Sequence, residues 1–102
     1  MTEVAYDFEW DGNKADSNSK KHGVTFEQAA TVFLDVLALT VFNESHSQYE
    51  ERWFTLGHTS DGALLAVAHT YQATSASSIR IRIISARPAT NQERRFYADD
   101  PR

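Results

Sequence analysis

Residues 79–83, within a predicted strand at 78–86, alternate between isoleucine and arginine, and this pattern constrains the fold more than any other feature of the chain. Ile79, Ile81 and Ile83 occupy every second position, and Arg80 and Arg82 lie between them. Because successive side chains of a strand point to opposite faces of a sheet, the pattern predicts a strand with one buried face and one arginine face. The chain therefore needs a sheet that other elements cover on its isoleucine side.

The rest of the chain supplies further strands around this one. The residue types predict strands at 6–10, 37–42, 52–59 and 64–71, with a hairpin turn at Asp61-Gly62 and a loop of small polar residues at 72–78. The run at 64–71 is almost continuously apolar, which is typical of a central strand. Four consecutive strands most simply form an antiparallel meander. We therefore expect an α+β fold, with a four- to five-stranded antiparallel sheet and helices packed on one face.

Short motifs predict where three helices begin or end. Gly23 is expected to end a helix formed by the polar residues 13–22. Thr25 with Gln28 and Thr90 with Glu93 have the spacing of capping boxes, which begin helices. We expect the second helix to continue to Asp35 and the third to about residue 98. Pro88 is expected to end strand pairing before the last helix.

Length and composition limit the class of protein. The 102 residues predict one domain, 1–102, with 1–5 and 99–102 frayed. The absence of cysteine excludes disulfides and thiolate metal sites. No apolar run is long enough to span a bilayer, and the N-terminus is acidic where a signal peptide carries bases. These features predict a cytoplasmic protein that has no membrane contact.

The net charge of -4 argues by itself against nucleic-acid binding. It conceals an asymmetry, however. Residues 1–50 contain three lysines and nine acids, whereas residues 51–102 contain seven arginines and five acids. Arginine is suited to bidentate contacts with phosphate or carboxylate groups, so the second half carries the candidate binding groups.

Metal and nucleophile chemistry find little support in the sequence. His22, His46, His58 and His69 lie on four different elements without metal-ligand spacing, and phosphate-binding glycine loops and serine-nucleophile motifs are absent. We therefore expect no metal site and no cofactor.

The remaining polar residues fit cleavage of RNA by its own 2′-hydroxyl, which needs a base, an acid and fixed positive charge on the phosphate. Purely structural roles stay open as alternatives for these residues. In them, the bases before Gly23 complement a helix dipole, and Glu51 and Arg52 form an ion pair at the rim. Glu93 is then only a helix cap, and Trp10 lies in the core. His69 is expected to be a core histidine. The candidates are Lys21, His22, Glu51, Arg52, His69, Arg80, Arg82 and Arg87.

A set of short motifs extends over nearly the whole chain. They are Phe8-Glu9-Trp10-Asp11, Lys14, Asn18, Lys21-His22-Gly23-Val24, Phe26-Glu27-Gln28-Ala29, Glu51-Arg52-Trp53, Gly57, Ile83-Ile84-Ser85-Ala86-Arg87, Ala89-Thr90 and Glu93-Arg94-Arg95-x-Tyr97. In order and spacing the set resembles the BrnT toxins of bacterial type II toxin–antitoxin systems. Pro88 and a long 72–78 loop depart from the family pattern.

The resemblance implies a RelE-like toxin that cleaves RNA endonucleolytically without a metal ion and inhibits translation. It implies a BrnA-type antitoxin with a ribbon-helix-helix DNA-binding part, through which alone the complex reaches operator DNA. The catalytic positions that it carries over are Lys21, His22, Glu51, Arg52 and Arg87. We expect Arg80, Arg82 and Trp10 to contact RNA, with Trp10 also part of the framework of the site.

These roles combine into one hypothesis. Arg52 and Arg87 bind the scissile phosphate, and His22, Glu51 or Lys21 transfer protons, with base and acid left unassigned. The alternative is a non-catalytic interaction module, or a degenerate toxin that only binds its antitoxin.

Overall fold

The computed structural model describes residues 4–44 and 50–100. These residues form a mixed α+β fold, which confirms the expected class. In chain order the elements are β1 (Ala5–Glu9), α1 (Gly12–His22), α2 (Phe26–Ala30), the 3-10 turn Thr31–Leu34, β2 (Leu39–Phe42), β3 (Trp53–His58), β4 (Leu64–His69), β5 (Gln72–Ser75), β6 (Ser78–Pro88) and α3 (Asn91–Asp99).

The ordered elements extend into both terminal segments that we expected to fray. β1 begins at Ala5 and α3 ends at Asp99. Residues 1–3 and 101–102 lie outside the described residues, as do 45–49 of the polar loop, which include His46. In the described ranges, no helix is long and apolar enough to cross a membrane.

The strands form one sheet in the order β1-β6-β4-β3-β2, with β5 also paired to β6. The meander expected for β2, β3, β4 and β6 is confirmed, since these strands pair antiparallel in sequence. β1 adds to the far side of β6 in parallel orientation, from Ala5 opposite Ser78 to Glu9 opposite Arg82. The sheet is therefore mixed rather than antiparallel, because alternation along β1 specifies its faces but not its direction.

The expectation of a loop at 72–78 is wrong, because Gln72–Ser75 forms β5 against β6. All four residues of β5 are exposed, so there is no buried side to impose an apolar period. Pro88 pairs with Leu65 as the last residue of β6, so strand pairing ends at the proline before α3, as expected. The sheet thus contains six strands among the described residues, more than the four or five expected.

The helices lie on two faces rather than one. α2 and the 3-10 turn pack through Phe26 and Val32 on a core that contains Val67, Ile81 and Ile83. α3 packs through Tyr97 on Leu64 and Ala66, which alternate with the core residues of β4 and so face the other way. The capping box of α3 predicted where the helix starts, but a cap does not determine which face of a sheet a helix covers.

The predicted helix boundaries are largely confirmed. Gly23 follows α1 with φ of 69°, in the left-handed region. Thr25 with Gln28 and Thr90 with Glu93 form complete capping boxes. The second helix differs, because it tightens into a 3-10 turn at Thr31 and leaves Leu34 75% exposed.

That 3-10 turn fits against a glycine of β3. A Cβ placed on Gly57 would lie 2.9 Å from Val32 Cγ1, closer than packed side chains allow. Gly57 is therefore needed for the approach of the turn to the sheet, and Val32 is fully buried there.

Candidate functional site

Asn18 fastens α1 to the edge of β6 beyond the end of β1. Its Oδ1 accepts from the backbone N–H of Ala86 at 3.0 Å, and its Nδ2 donates to the carbonyls of Ala86 at 2.8 Å and Val24 at 3.2 Å. The side-chain amide thus replaces the partner strand that β6 lacks here, since β1 pairs only as far as Arg82. Lys21 and His22 follow three and four residues later, on the same side of the helix.

An open cleft of about 340 Å³ lies between α1 and β6. Side chains of α1 line one wall of the cleft, and residues of β6 line the other. They include Lys14, Lys21 and His22 of the helix and Ile84 and Ser85 of the strand. Two ammonium groups, an imidazole and a hydroxyl suit an anionic ligand that needs both charge and proton transfer.

A β-bulge at Ile84 determines which face of the sheet the last side chains of β6 occupy. His69 pairs with Ile83 and Ala68 pairs with Ser85, so Ile84 is an extra residue in the ladder. If β6 ran through Ile84 as a regular strand, Ser85 and Arg87 would lie on the same face as the buried Ile81 and Ile83. With the bulge, Ala86 takes the buried position, and Ser85 and Arg87 turn to the arginine face.

Arg87 forms a bidentate ion pair on that face with Glu93, the residue that also caps α3. Nη1 lies 2.7 Å from Oε1 and Nη2 lies 3.0 Å from Oε2. Hydrogen bonding from Arg87 lowers the pKa of Glu93 to about 2, and the same contact raises the pKa of Arg87. The interpretation of Glu93 as a helix cap is confirmed, and the ion pair is an additional role.

A second group of charges lies farther along the same face. Glu50 Oε1 contacts the guanidinium of Arg82, and it lies 3.5 Å from Arg52 Nη2. Glu50 therefore joins two candidate arginines, although it was absent from the candidate set. Its neighbour Glu51 is exposed, and the ion pair that we considered for Glu51 and Arg52 is formed by Glu50 instead.

The strand registers separate Arg52 from Arg87. Arg87 pairs with Ala66, and Ala66 pairs with Leu56. Arg52 precedes Leu56 by four residues, about 13 Å along a strand, and two strand spacings of about 4.8 Å lie between. The two backbones are thus about 16 Å apart by these spacings, so the face contains two cationic positions rather than one clamp.

The remaining candidates have different surroundings. Trp10 packs edge-on against the buried ring of Phe26, with centroids 5.9 Å apart, and belongs to the margin of the core. Arg80 is exposed and pairs in register with Asp7 of β1. The contacts of these two residues with RNA remain predictions.

His69 is a core histidine, as expected. It is fully buried, its Nδ1 lies 2.8 Å from the carbonyl of Thr70, and its Nε2 lies 2.7 Å from the Thr55 hydroxyl. Burial lowers its pKa, which favours the neutral ring. His69 is therefore removed from the candidates for proton transfer to a ligand.

Sequence reasoning gave no role to two residues that organise the site, Asn18 and Glu50. Asn18 stands among the motifs that carry the family resemblance, but its contacts with β6 could not be predicted from them. Glu50 gave none, because it lies outside any predicted element and its partner Arg82 is 32 residues away.

Comparison with known proteins places the chain among toxins. A family model described as ribonuclease toxin, BrnT, of type II toxin-antitoxin system matches residues 10–93. The 1.1 Å crystal structure of the Brucella abortus ribonuclease toxin, BrnT, is similar with a TM-score of 0.56 and 19% sequence identity, over 89% of this chain and 100% of that chain. At that identity the structural likeness concerns the fold. The sequence has no significant match among curated proteins.

Proposed function

The chain belongs to the BrnT family of ribonuclease toxins of type II toxin–antitoxin systems, and on this premise we propose that it is a metal-independent endoribonuclease that inhibits translation. The observation that carries the proposal is the arrangement around the end of β6. Lys21 and His22 line a cleft with Ser85, and Arg87 follows two residues later on the same strand face. The groups that we propose for proton transfer thus line a cleft whose strand side continues to the arginine that we propose for phosphate binding.

The proposed reaction is attack of a ribose 2′-hydroxyl on the adjacent phosphorus. A base removes the 2′-proton, the P–O5′ bond breaks, and an acid protonates the departing 5′-oxygen, leaving a 2′,3′-cyclic phosphate and a 5′-hydroxyl. Arg87 would stabilise the charge that develops on the phosphorane. His22 and Lys21, which line the cleft beside Ser85, are the proposed proton-transfer groups, and Glu51 lies toward the other group of charges.

The distance between Arg52 and Arg87 modifies the single-phosphate hypothesis. We propose that Arg87 contacts the scissile phosphate, and that Arg52 and Arg82 contact another phosphate of the same strand. Arg80 would extend this track along the exposed end of β6. The track lies in the basic half of the chain, so the net charge of -4 is compatible with a local RNA site.

A type II toxin requires an antitoxin, and we propose a BrnA-type protein with a ribbon-helix-helix DNA-binding part. The antitoxin would neutralise the toxin in the cytoplasm, and operator DNA would contact the complex through the antitoxin. The adjacent reading frame provides a direct check, since it should encode such a short protein.

Cleavage of a labelled RNA by the purified chain in EDTA tests the proposal. We expect cleavage with cyclic phosphate ends, a loss of roughly 100-fold or more for Arg87→Ala, and little change for Arg94→Ala. Arg94 is the matched control because it is an exposed arginine of α3. Intact RNA at high protein concentration would support a non-catalytic interaction module or a degenerate toxin, and cleavage abolished by EDTA would contradict metal independence.

Growth arrest after induction tests the same residues in cells. The wild-type chain should arrest growth, and folded Arg52→Ala and Arg87→Ala variants should do so less. Full toxicity of both variants would contradict the phosphate-binding roles.

A further inference from the structure

The ion pair between Arg87 and Glu93 occupies only one end of the guanidinium group. Glu93 accepts from Nη1 and Nη2, the two terminal nitrogens, and Nη1 also lies 3.4 Å from the carbonyl of Pro88. Guanidinium has five N–H donors, so two remain: Nε–H and the second N–H of Nη2. No other described residue accepts from these two donors.

The two remaining donors form a pair. Nε–H and the second N–H of Nη2 lie along the same edge of the planar guanidinium group. Their N–H bonds are therefore parallel and match two oxygens of one phosphate. The Arg87 side chain keeps 35% of its surface exposed, and its Nε is not among the buried polar atoms without a partner in the described residues, so solvent reaches the side-on pair at Nε.

The carboxylate that fixes the other end is itself fixed. Glu93 Oε1 accepts from the backbone N–H of Thr90 at 2.9 Å, and the Glu93 N–H donates to Thr90 Oγ1 at 3.1 Å. The first turn of α3 therefore determines where the carboxylate stands, and the carboxylate determines how the guanidinium is oriented.

From this arrangement we propose that Glu93 is a positioning residue, which holds Arg87 by its end so that the side-on N–H pair receives an RNA phosphate. The inference rests on the proposed function only in taking RNA as the ligand. An arginine held in this way loses less conformational freedom on binding than a free one.

The opposite role would be competition, in which the carboxylate of Glu93 occupies the place of the phosphate. The geometry favours positioning, because a competitor would occupy the side-on pair, which is open. The two roles also predict opposite changes in RNA affinity when the charge of Glu93 is removed. Removing a negative charge beside an RNA phosphate would by itself strengthen binding, so weaker binding after that change can only come from lost orientation of Arg87.

Two substitutions separate positioning from helix capping. Glu93→Gln retains a residue type that completes capping boxes, as Gln28 does in α2, but it lacks the charge and one acceptor oxygen. Thr90→Ala removes the hydroxyl that caps the Glu93 N–H but keeps the backbone N–H that donates to Glu93 Oε1, so the carboxylate stays on Arg87. Circular dichroism would establish that both variants are folded.

The experiment measures binding of a mixed-sequence 2′-O-methyl RNA, which has phosphates but no free 2′-hydroxyl and so is not cleaved. The Nε–H resonance of Arg87, assigned with Arg87→Lys, is followed by NMR during the titration. We expect this resonance to shift in the wild type and in Thr90→Ala, with similar affinities. Glu93→Gln should bind roughly five-fold more weakly, as expected for one lost charge-assisted contact, and should cleave ordinary RNA correspondingly more slowly.

Each other outcome overturns the inference. Equal affinity of Glu93→Gln would show that Arg87 needs no positioning, and tighter binding would show competition. Equal weakening in Thr90→Ala would assign the effect to the cap, and an unmoved Nε–H resonance in the wild type would show that the side-on pair takes no phosphate. If the expected binding pattern appears but ordinary RNA stays intact, the ribonuclease proposal fails and this inference stands.

Discussion

The side chain of Asn18 makes the two backbone hydrogen bonds with β6 that a neighbouring strand would otherwise make. Beyond Arg82, no strand of the described residues pairs with β6 on its β1 side, and an unpaired strand edge exposes backbone donors and acceptors. One amide group satisfies both the N–H and the carbonyl of Ala86, because it presents a donor and an acceptor side by side, as a peptide bond does. A single residue thereby sets the distance between α1 and the sheet.

This role predicts the effect of Asn18→Asp. The carboxylate retains an acceptor for the Ala86 N–H but faces the carbonyls of Ala86 and Val24 without a donor, in a site that is 7% exposed. We expect the free energy of unfolding to fall by about 3 kcal/mol, measured by urea denaturation. Asn13→Asp is the matched control, since Asn13 is exposed in the first turn of the same helix and should change little. Equal losses would contradict the edge-pairing role.

The ion pair of Glu93 predicts a specific acid sensitivity. Its pKa is lowered to about 2 from 4.5, so the folded state loses stability from this group as pH falls from about 4.5 to about 2. Arg87 stays charged throughout this range. Glu93→Gln should therefore lose less unfolding free energy than the wild type between these pH values, as measured by urea denaturation at a series of pH values.

Glu27→Gln provides the control for this comparison. Glu27 is an exposed residue in the first turn of α2, and no ion pair joins it to another residue in ranges 4–44 and 50–100. Its acid profile should follow that of the wild type. If Glu93→Gln also follows the wild type, the ion pair does not persist in solution.

At the scale of elements, the bulge in β6 assigns residues to faces. Ile81, Ile83 and Ala86 all lie in the main core, although a regular strand would not place positions 83 and 86 on one face. The extra residue, Ile84, reverses the phase between them. Ser85 and Arg87 lie on the arginine face because of this phase change.

Deletion of Ile84 should therefore leave the faces of β6 unchanged. It places Ser85 directly after Ile83, so a regular ladder keeps Ser85 opposite Ala68 and Arg87 on the arginine face. We expect the deletion variant to fold and to keep the ion pair of Arg87, with a loss of about 1 kcal/mol in unfolding free energy, measured by urea denaturation. Ile84→Ala, which keeps the bulge but removes most of the same side chain, is the control and should lose a similar amount. Loss of the Arg87 ion pair in the deletion variant alone would contradict the assignment of Ile84 as the extra residue.

The elements that the sequence predicts well are those governed by local chemistry. The capping boxes at Thr25 and Thr90 and the glycine stop at Gly23 involve partners three or four residues apart, and all three are confirmed. The bulge at Ile84, the parallel pairing of β1 and the side of the sheet that α3 covers depend on partners far away in the chain. Alternation predicted the faces of Arg80 and Arg82, but it would have placed Arg87 wrongly because it carries no record of an inserted residue.

At the scale of the whole molecule, the charges divide into an acidic background and a local basic track. The candidate cations lie on α1 and along the arginine face. Of the three arginines that form ion pairs within ranges 4–44 and 50–100, two share the carboxylate of Glu50. Such an arrangement limits nonspecific attraction of RNA while leaving specific phosphate contacts in place. Affinity should therefore depend on a small number of phosphates.

The salt dependence of RNA binding measures that number. Contacts with four phosphates predict a slope of about −3 for log K against log salt, since each phosphate on single-stranded nucleic acid contributes about 0.7. Lys21, Arg80 and Arg87 would each contact one phosphate, and Arg52 and Arg82 would share the fourth. Arg87→Ala should reduce the magnitude by about 0.7, and the matched surface variant Arg94→Ala should leave the slope unchanged. Binding of 2′-O-methyl RNA at several salt concentrations provides the measurement. Equal changes in the two variants would mean that RNA responds to the overall charge of the molecule, and the track along β6 would then have no special role.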